Sequence, residues 1–330
     1  MAAGTPASPI NFPVRYVGRL APSPTGAQHL GNARTYLIAW LAARGCGGRL
    51  VLRIEDIDSP RVKHGAIEGA LEDLRWLGLD WDEGPIFQTE RLSFYESALR
   101  VLQAQELVYP CTCSRSDVER AASAPHADHE GPAYPGTCAG RTAASAANLA
   151  DQPFAWRFRV KPESPEFVDG FRGPTQIRIQ EAGGDFVVWK SLGTPAYQLA
   201  VAVDDAAQQV TEVIRGDDLV PSTHRQLLLY EALGLRPPSF VHVPLVVGPD
   251  GRRLAKRHGD TRLASLRQAG VPAEALLGLL AWSCSWMDKP APISARELIP
   301  LFRLETIPGQ AFVLTPQHLA SIGFASGSSA

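Results

Sequence analysis

Residues 15–58 read RYVGRLAPSPTGAQHLGNARTYLIAWLAARGCGGRLVLRIEDID. Residues 15–21 (RYVGRLA) have the length and apolar content of a short buried strand, and PSPTG is a turn punctuated by Pro and Gly. A helical pattern then runs from about Gln28 to Arg44, with Leu30, Ala33, Leu37, Trp40 and Leu41 as its apolar stripe. Gly45, Gly47 and Gly48 stop that helix, and Leu50 to Ile54 (LVLRI) is a second apolar strand leading into the acidic run Glu55, Asp56, Asp58. Strand, helix, strand units build parallel sheets, and ligands bind outside the carboxyl ends of their strands.

Outward from this unit, amphipathic helices are expected around residues 65–77 (Ile67, Ala70, Leu71, Leu74, Leu77) and 90–107 (Leu92, Tyr95, Leu99, Leu102), as covers for a core. Residues 111–153 change character: they are rich in Ala, Ser, Gly, Pro and His without strong periodicity, and read as an insertion that needs something other than a core to hold it. The alternation of Phe154, Trp156, Phe158 and Val160 predicts a half-buried antiparallel strand over 154–160, continued by β segments at 176–180 and 185–190. From 197 to 247 come apolar YQLAVAV, a turn at VDD, QVTEVI, a helix over 222–234 and FVHVPLVV as a final buried strand. A basic loop and helical segments at 263–269 and 273–287 follow, and the tail FASGSSA is expected to fray; no internal repeat is present.

The chain has 330 residues with 45% hydrophobic content, enough to bury a sizeable core, so disorder is excluded as a default. A net charge of −2 and a pI near 6.5 do not fit an overall basic nucleic-acid binder, so RNA contact must rest on local patches. The clearest is Arg252, Arg253, Lys256, Arg257 and His258. Residues 1–14 lack a signal-peptide pattern and no stretch has membrane-span length, so the expected location is cytoplasmic. Five unevenly placed cysteines do not suggest a disulfide framework. Cys111, Cys113 and Cys138 cluster as metal-ligand candidates, whereas Cys46 and Cys284 lie beside apolar patterns and are expected in the core.

Taken in order, Arg19-Leu-Ala-Pro-Ser-Pro-Thr-Gly26, His29-Leu-Gly-Asn32, Arg53-Ile-Glu-Asp-Ile-Asp58, Pro195-Ala-Tyr-Gln-Leu-Ala200, Val213-Ile-Arg-Gly216 and Arg253-Leu-Ala-Lys-Arg257 resemble the glutamyl-tRNA synthetase family of class I aminoacyl-tRNA synthetases. One such motif is weak evidence; several in order and spacing over residues 15–260 are strong. Only 73 residues follow Arg257, too few for the helical anticodon-binding domains of the long members. The match is therefore nearer to the short paralogues, the glutamyl-Q tRNA(Asp) synthetases, which attach glutamate to the queuosine base in the anticodon of tRNA(Asp).

That resemblance implies an α/β fold: a Rossmann-like catalytic domain with a parallel sheet (1–110 and 195–247), a zinc-containing α+β insertion (111–194), and a KMSKS-type loop with a small helical C-terminal region (248–330). It implies an ATP-dependent ligase, with Mg²⁺ accompanying ATP, acting as a monomer on L-glutamate and tRNA(Asp). His29 and Lys256 are the implied catalytic residues, and Gly31, Asn32 and Arg257 join them around ATP. A helix start with free N–H groups suits phosphate. Arg19 and Arg215 are assigned to substrate carboxylates, Glu55 to the α-amino group, Ser23 and Tyr197 to polar contacts and Ala21 to the pocket wall. Two arginines suit an acidic side chain and disfavour glutamine.

The loop departs from the family pattern: Arg253 keeps the first positive charge, but Ala255 lacks a hydroxyl whose hydrogen bond would contribute about 1 kcal/mol. For zinc, the resemblance gives Cys111, Cys113, Tyr134 and Cys138; His126, His129 and Asp128 are chemically better donors than a phenol in the same loop, and free thiols without metal stay an alternative. Other open readings are a minimal glutamyl-tRNA synthetase charging the 3′ end of tRNA(Glu) and an inert tRNA-binding paralogue. Any tRNA affinity is expected to be modest, salt-sensitive and carried by one basic face near Arg252 to Arg257 and the insertion.

Overall fold

The computed structural model describes residues 15–57, 62–121, 133–149, 152–161, 165–176, 183–254 and 260–324. Asp58, His126, Asp128, His129, Ala255, Lys256, Arg257, His258, most of the strand expected at 176–180 and all but the first residue of the FASGSSA tail lie outside them.

The amino-terminal unit is as its sequence reads. Strand β1 (Val17–Leu20), helix α1 (Leu30–Gly45) and strand β2 (Arg49–Ile54) place β1 and β2 parallel, with Val17 opposite Arg49 and Leu20 opposite Leu52. The expected stripe of α1 is buried, and so are Arg34, Ile38, Ala39 and Ala43, because the helix is covered on more than one side. Helix α2 (Ala66–Trp76) buries Ala70 and Leu74. Strand β3 (Glu83–Phe87), which the sequence reading missed, then extends the sheet parallel to β2. Its EGPIF sequence lacks apolar alternation, yet Gly84, at φ +102°, brings the backbone so close to β2 that a Cβ there would stand 2.2 Å from the Leu52 carbonyl oxygen. Helix α3 (Leu92–Ala104), entered through a 3₁₀ turn at Gln88–Arg91, buries Tyr95, Leu99 and Leu102 but leaves Leu92 exposed, against expectation.

Within the expected insertion, β4 (Val108–Cys111) ends on the first clustered cysteine and is followed by α4 (Arg115–Ala121). The alternating segment forms β5 (Ala155–Phe158), antiparallel to β4. A hairpin, β6 (Phe167–Asp169) with β7 (Gly173–Thr175), was not foreseen; β8 (Phe186–Trp189) completes a sheet in the order β4, β5, β8.

The largest correction concerns residues 197–207. YQLAVAV and the expected VDD turn form one helix, α5 (Tyr197–Ala207), in which every residue from Gln198 to Asp205 is buried. An apolar run buried on all sides carries no amphipathic period by which to tell helix from strand. Strand β9 (Glu212–Gly216), helix α6 (Val220–Ala232) and strand β10 (Ser239–Val243) then form a second parallel pair, followed by short β11 (Val246–Val247). The two parallel pieces meet where Thr211 N–H donates to the Val17 carbonyl at 2.9 Å and Arg19 Nη1 to that of Ile214 at 3.0 Å. Helices α7 (Leu263–Gln268) and α8 (Ala273–Ser283), with β12 (Phe312–Val313) on β11 and helix α9 (Pro316–Ser321), close the fold.

One core joins α1, β1 and β2 to α7 and α8; a second joins α3, β4, β5 and β8 to α5, β9 and α6. Arg34 of α1 spans to the end of α8, donating to Ser283 Oγ, the Ser283 carbonyl and the Pro244 carbonyl. There a cation meets the negative end of a helix dipole. No described helix is long and apolar enough to cross a membrane.

The strongest tie between the halves is ionic. Arg53 of β2 is fully buried and reaches Asp205 of α5 at 2.7 Å and Gln208 at 2.8 Å. Asp204, equally buried, accepts from Arg91 at 2.7 Å and from Gln88 and Tyr95 at 2.8 Å each. Removing one partner leaves an uncompensated charge in a medium that solvates it poorly. Asp204→Ala should therefore lower the unfolding free energy by about 3–5 kcal/mol, read from urea denaturation; a loss below about 1 kcal/mol would show that the network does not hold the halves together.

Candidate active site

The site lies beyond the carboxyl ends of β1, β2 and β9. Arg19 is near the end of β1, Glu55 directly follows β2, and Arg215 is the penultimate residue of β9. Parallel strands present successive carboxyl ends along one edge, which is why three residues so distant in sequence converge.

Arg19 and Arg215 are both buried. Arg19 Nε stands 3.9 Å from the Asp205 carboxylate and has no hydrogen-bond partner among the described residues. Burial, then the neighbouring Arg53 and Arg215, lower its pKa against the pull of Asp205 and Glu55. Glu55 accepts from Arg53 Nη2 at 3.1 Å and Nε at 3.4 Å. Burial nevertheless lifts its carboxyl above the ordinary glutamate value, because Arg53 is shared with Asp204 and Asp205. The Glu55 carboxylate is thus under-compensated, a place where a ligand ammonium would relieve the strain of burial.

Arg215 is the reverse case. Its guanidinium donates to His242 Nε2 at 3.1 Å, Tyr197 Oη at 3.4 Å, Thr223 Oγ1 at 2.7 Å and Gln226 Oε1 at 2.9 Å. Among the described residues no carboxylate lies within ion-pair distance of it, so its orientation is set by neutral acceptors and its charge stays available to an anion. Tyr197 is thereby brought to the site, with its hydroxyl pKa raised by burial. Ala21 and Ser23 lie in the loop after β1, Ala21 partly buried and Ser23 exposed; Ser23 Oγ is 3.5 Å from the Glu55 carbonyl.

His29 is the N-cap of α1 rather than a residue of its first turn. Asn32 N–H donates to His29 Nδ1 at 3.4 Å, and Asn32 Oδ1 accepts from the His29 backbone N–H at 3.0 Å. Both side chains are therefore employed in a reciprocal cap. Burial and Arg253 lower the His29 pKa, favouring the neutral ring; with Nδ1 accepting, its proton sits on Nε2, an outward donor. Gly31 leaves room beside it: a Cβ there would stand 3.0 Å from His29 Cε1, a tight contact for the ring.

Lys256 and Arg257 lie outside the described residues, but both flanks of their loop are fastened near His29. Leu30 N–H donates to the Thr261 carbonyl and Leu263 N–H to that of Gln28, while Arg253 pairs with Asp218, three residues after Arg215. The expected free basic face is thus partly neutralised at Arg253.

Cys111, Cys113 and Cys138 converge, with their sulfurs within 4.8 Å of one another. The Tyr134 hydroxyl is 3.4 Å from Cys111 Sγ and 3.8 Å from Cys113 Sγ, and accepts from the Cys138 backbone N–H at 2.8 Å. Burial raises the pKa values of Cys113 and Tyr134, whereas backbone and side-chain donors hold Cys138 down, at about 7. Arg157 donates to Cys111 Sγ at 3.3 Å and stacks over the Tyr134 ring, a cation suited to an anionic thiolate cluster. The donors fit a soft metal ion. Cys284 is buried as expected; Cys46 is exposed, bonding back to the Ala42 carbonyl.

Sequence reasoning gave no role to Arg53, Asp204, Asp205, Asp169 or His242. A signal existed: an arginine inside apolar LVLRI, a histidine inside FVHVP and two acids within an apolar run each require a buried partner.

The model for the family of tRNA synthetases class I (E and Q), catalytic domain, matches residues 15–306. The chain is 50% identical over 316 residues to a protein of Symbiobacterium thermophilum named glutamyl-Q tRNA(Asp) synthetase, covering 92% of this chain and 98% of that one. It is 52% identical over 294 residues to a protein of the same name from Rhodopirellula baltica, covering 86% and 89%. Among solved structures, the glutamate-tRNA synthetase of Elizabethkingia anophelis superposes with a TM-score of 0.78 at 27% identity, over 92% of this chain and 69% of that one.

If the sulfur cluster takes a metal, titration with Co²⁺ should give a thiolate-to-cobalt charge-transfer band at one ion per chain, and Cys113→Ser should weaken or abolish it. A wild-type chain without that band would exclude a thiolate metal site.

Proposed function

The chain belongs to the class I tRNA synthetases for glutamate and glutamine, and on that premise we propose that it activates L-glutamate with ATP and transfers the glutamyl group to the queuosine base of tRNA(Asp). The arrangement that carries this reading is the pair Arg19 and Arg215 beside under-compensated Glu55: two cations and one anion, complementary to a ligand with two carboxylates and one ammonium. Glutamine would place an amide N–H₂ against guanidinium donors. Near-whole-length identity to relatives named for the queuosine reaction supports the acceptor.

In the first step an oxygen of the glutamate α-carboxylate attacks the α-phosphorus of ATP and pyrophosphate leaves. Glu55 would hold the α-ammonium and Arg19 and Arg215 the carboxylates, with Ser23, Tyr197 and Ala21 shaping the pocket. His29 Nε2–H, the Gly31 backbone N–H and the Asn32 side-chain amide at the start of α1, and Lys256 and Arg257 would meet the phosphates, whose negative charge grows in the transition state. ATP with Mg²⁺ is implied by the family. In the second step a hydroxyl of the queuosine ring attacks the adenylate carbonyl and AMP leaves. Zinc is the ion we assign to Cys111, Cys113, Cys138 and Tyr134: three thiolates within 4.8 Å of one another and one oxygen would hold it as a structural ion. It would fasten the ends of a segment with little core of its own.

Labelled glutamate should pass to queuosine-containing tRNA(Asp) and not to queuosine-lacking tRNA(Asp) or tRNA(Glu). Labelling of tRNA(Glu) would replace this reading with a compact tRNA-charging enzyme. Because burial raises the Glu55 pKa in the free protein, its protonation should weaken ammonium binding from the acid side. kcat/KM for glutamate should therefore fall with decreasing pH through a pKa above the ordinary ~4.3 of a glutamate, and Glu55→Gln should remove that limb.

A further inference from the structure

With Nε taken up by His242 and Nη2 by Thr223 and Gln226, the Nη1 corner of Arg215 is what can meet a carboxylate, so the guanidinium must be held in one orientation. The group that fixes its Nε edge is His242 of β10, whose Nε2 lies 3.1 Å away. Arginine nitrogens only donate, so His242 Nε2 must carry a lone pair. In a neutral imidazole the proton then sits on Nδ1, which faces Asp169 Oδ2 at 2.6 Å. Asp169 also accepts from the backbone N–H groups of Phe171 at 2.9 Å, Arg172 at 2.8 Å and His242 at 3.1 Å. These donors keep it ionised and acceptor-only, so it selects the Nδ1–H tautomer. A carboxylate placed directly on Arg215 would cancel the charge that a substrate needs. One imidazole between them transmits orientation while holding the carboxylate off.

We propose that Asp169 and His242 are positioning residues for substrate recognition: Asp169 fixes the tautomer of His242, and His242 fixes the guanidinium plane of Arg215. The proposal rests on Arg215 being a substrate-carboxylate group. It also gives the β6–β7 hairpin a direct part in the amino-acid pocket, since Asp169 ends β6 and Arg172, in the same turn, pairs with Asp217 beside the site. Thr223 Oγ1, 2.7 Å from Arg215 Nη2 and 3.0 Å from His242 Nε2, braces the same corner.

Asp169→Asn can offer an N–H₂ to Nδ1, which shifts the proton to Nε2 and sets donor against donor at Arg215. KM for glutamate in ATP–pyrophosphate exchange should rise about tenfold to a hundredfold, while KM for ATP stays within about twofold. His242→Gln, whose Oε1 restores an acceptor toward Arg215, should retain most of the glutamate affinity, and His242→Leu should not. Nitrogen-15 NMR of the wild-type ring should show the Nδ1–H tautomer, a readout that stands even if a variant misfolds. A wild-type Nε2–H tautomer, or a folded Asp169→Asn protein with unchanged KM for glutamate, overturns the proposal. Arg215→Met with unchanged KM for glutamate overturns the underlying assignment of Arg215 instead, and this proposal with it.

Discussion

The structure turns on the guanidinium of Arg53, buried without exposure and shared among Asp204, Asp205, Gln208 and Glu55. β2 and α5, which carry these groups, are about 150 residues apart in sequence. A buried cation tolerates no slack: Asp205 and Glu55 must reach it by hydrogen bonds, and Asp204 must stay 3.9 Å away, or its desolvation goes uncompensated. The two halves of the catalytic sheet are therefore held in one relative position, and the segment between them can be long and irregular without disturbing it.

The same network sets the field of the site. Arg53 is oversubscribed, so Glu55 keeps unmet demand for a cation, and Asp205 lies closer to Arg53 than to Arg19. Arg215, cradled by Tyr197, Thr223, Gln226 and His242, keeps its charge uncancelled. The protein thus holds separated, partly unsatisfied charges in a low-dielectric cleft, an arrangement that costs stability without a ligand and discriminates strongly in favour of one that completes it.

Two peripheral segments also reach this centre through ion pairs on consecutive residues. Asp217 pairs with Arg172 of the β6–β7 turn and Asp218 with Arg253 at the start of the basic loop. Both lie within three residues of Arg215, so a shift of that turn acts at once on the surroundings of Arg215, the hairpin and the loop flank. Further out, the sulfur cluster gathers β4 and the segment around Tyr134 and Cys138 into a small core of its own.

The sequence by itself determined the amino-terminal strand, helix, strand unit, the antiparallel strand around Trp156 and the cysteine cluster, and it singled out Arg19, Glu55, Arg215 and His29 as candidates, because periodicity and motif order are local or linear properties. It misread α5 and missed β3, β4 and the β6–β7 hairpin. A run buried from Gln198 to Asp205 has no exposed face to betray its period, and strands of three to five residues, most of them containing Gly or Pro, exist only because a neighbour pairs with them. Cys46 beside an apolar helix was placed wrongly for a related reason: only the packed helix shows which side of its end meets solvent. What the tertiary structure alone decided is which charges meet. Arg53 with Asp204 and Asp205, and Asp169 through His242 to Arg215, are pairings across long stretches of chain, and a Coulombic contact depends on distance in space, which no local pattern of residues encodes.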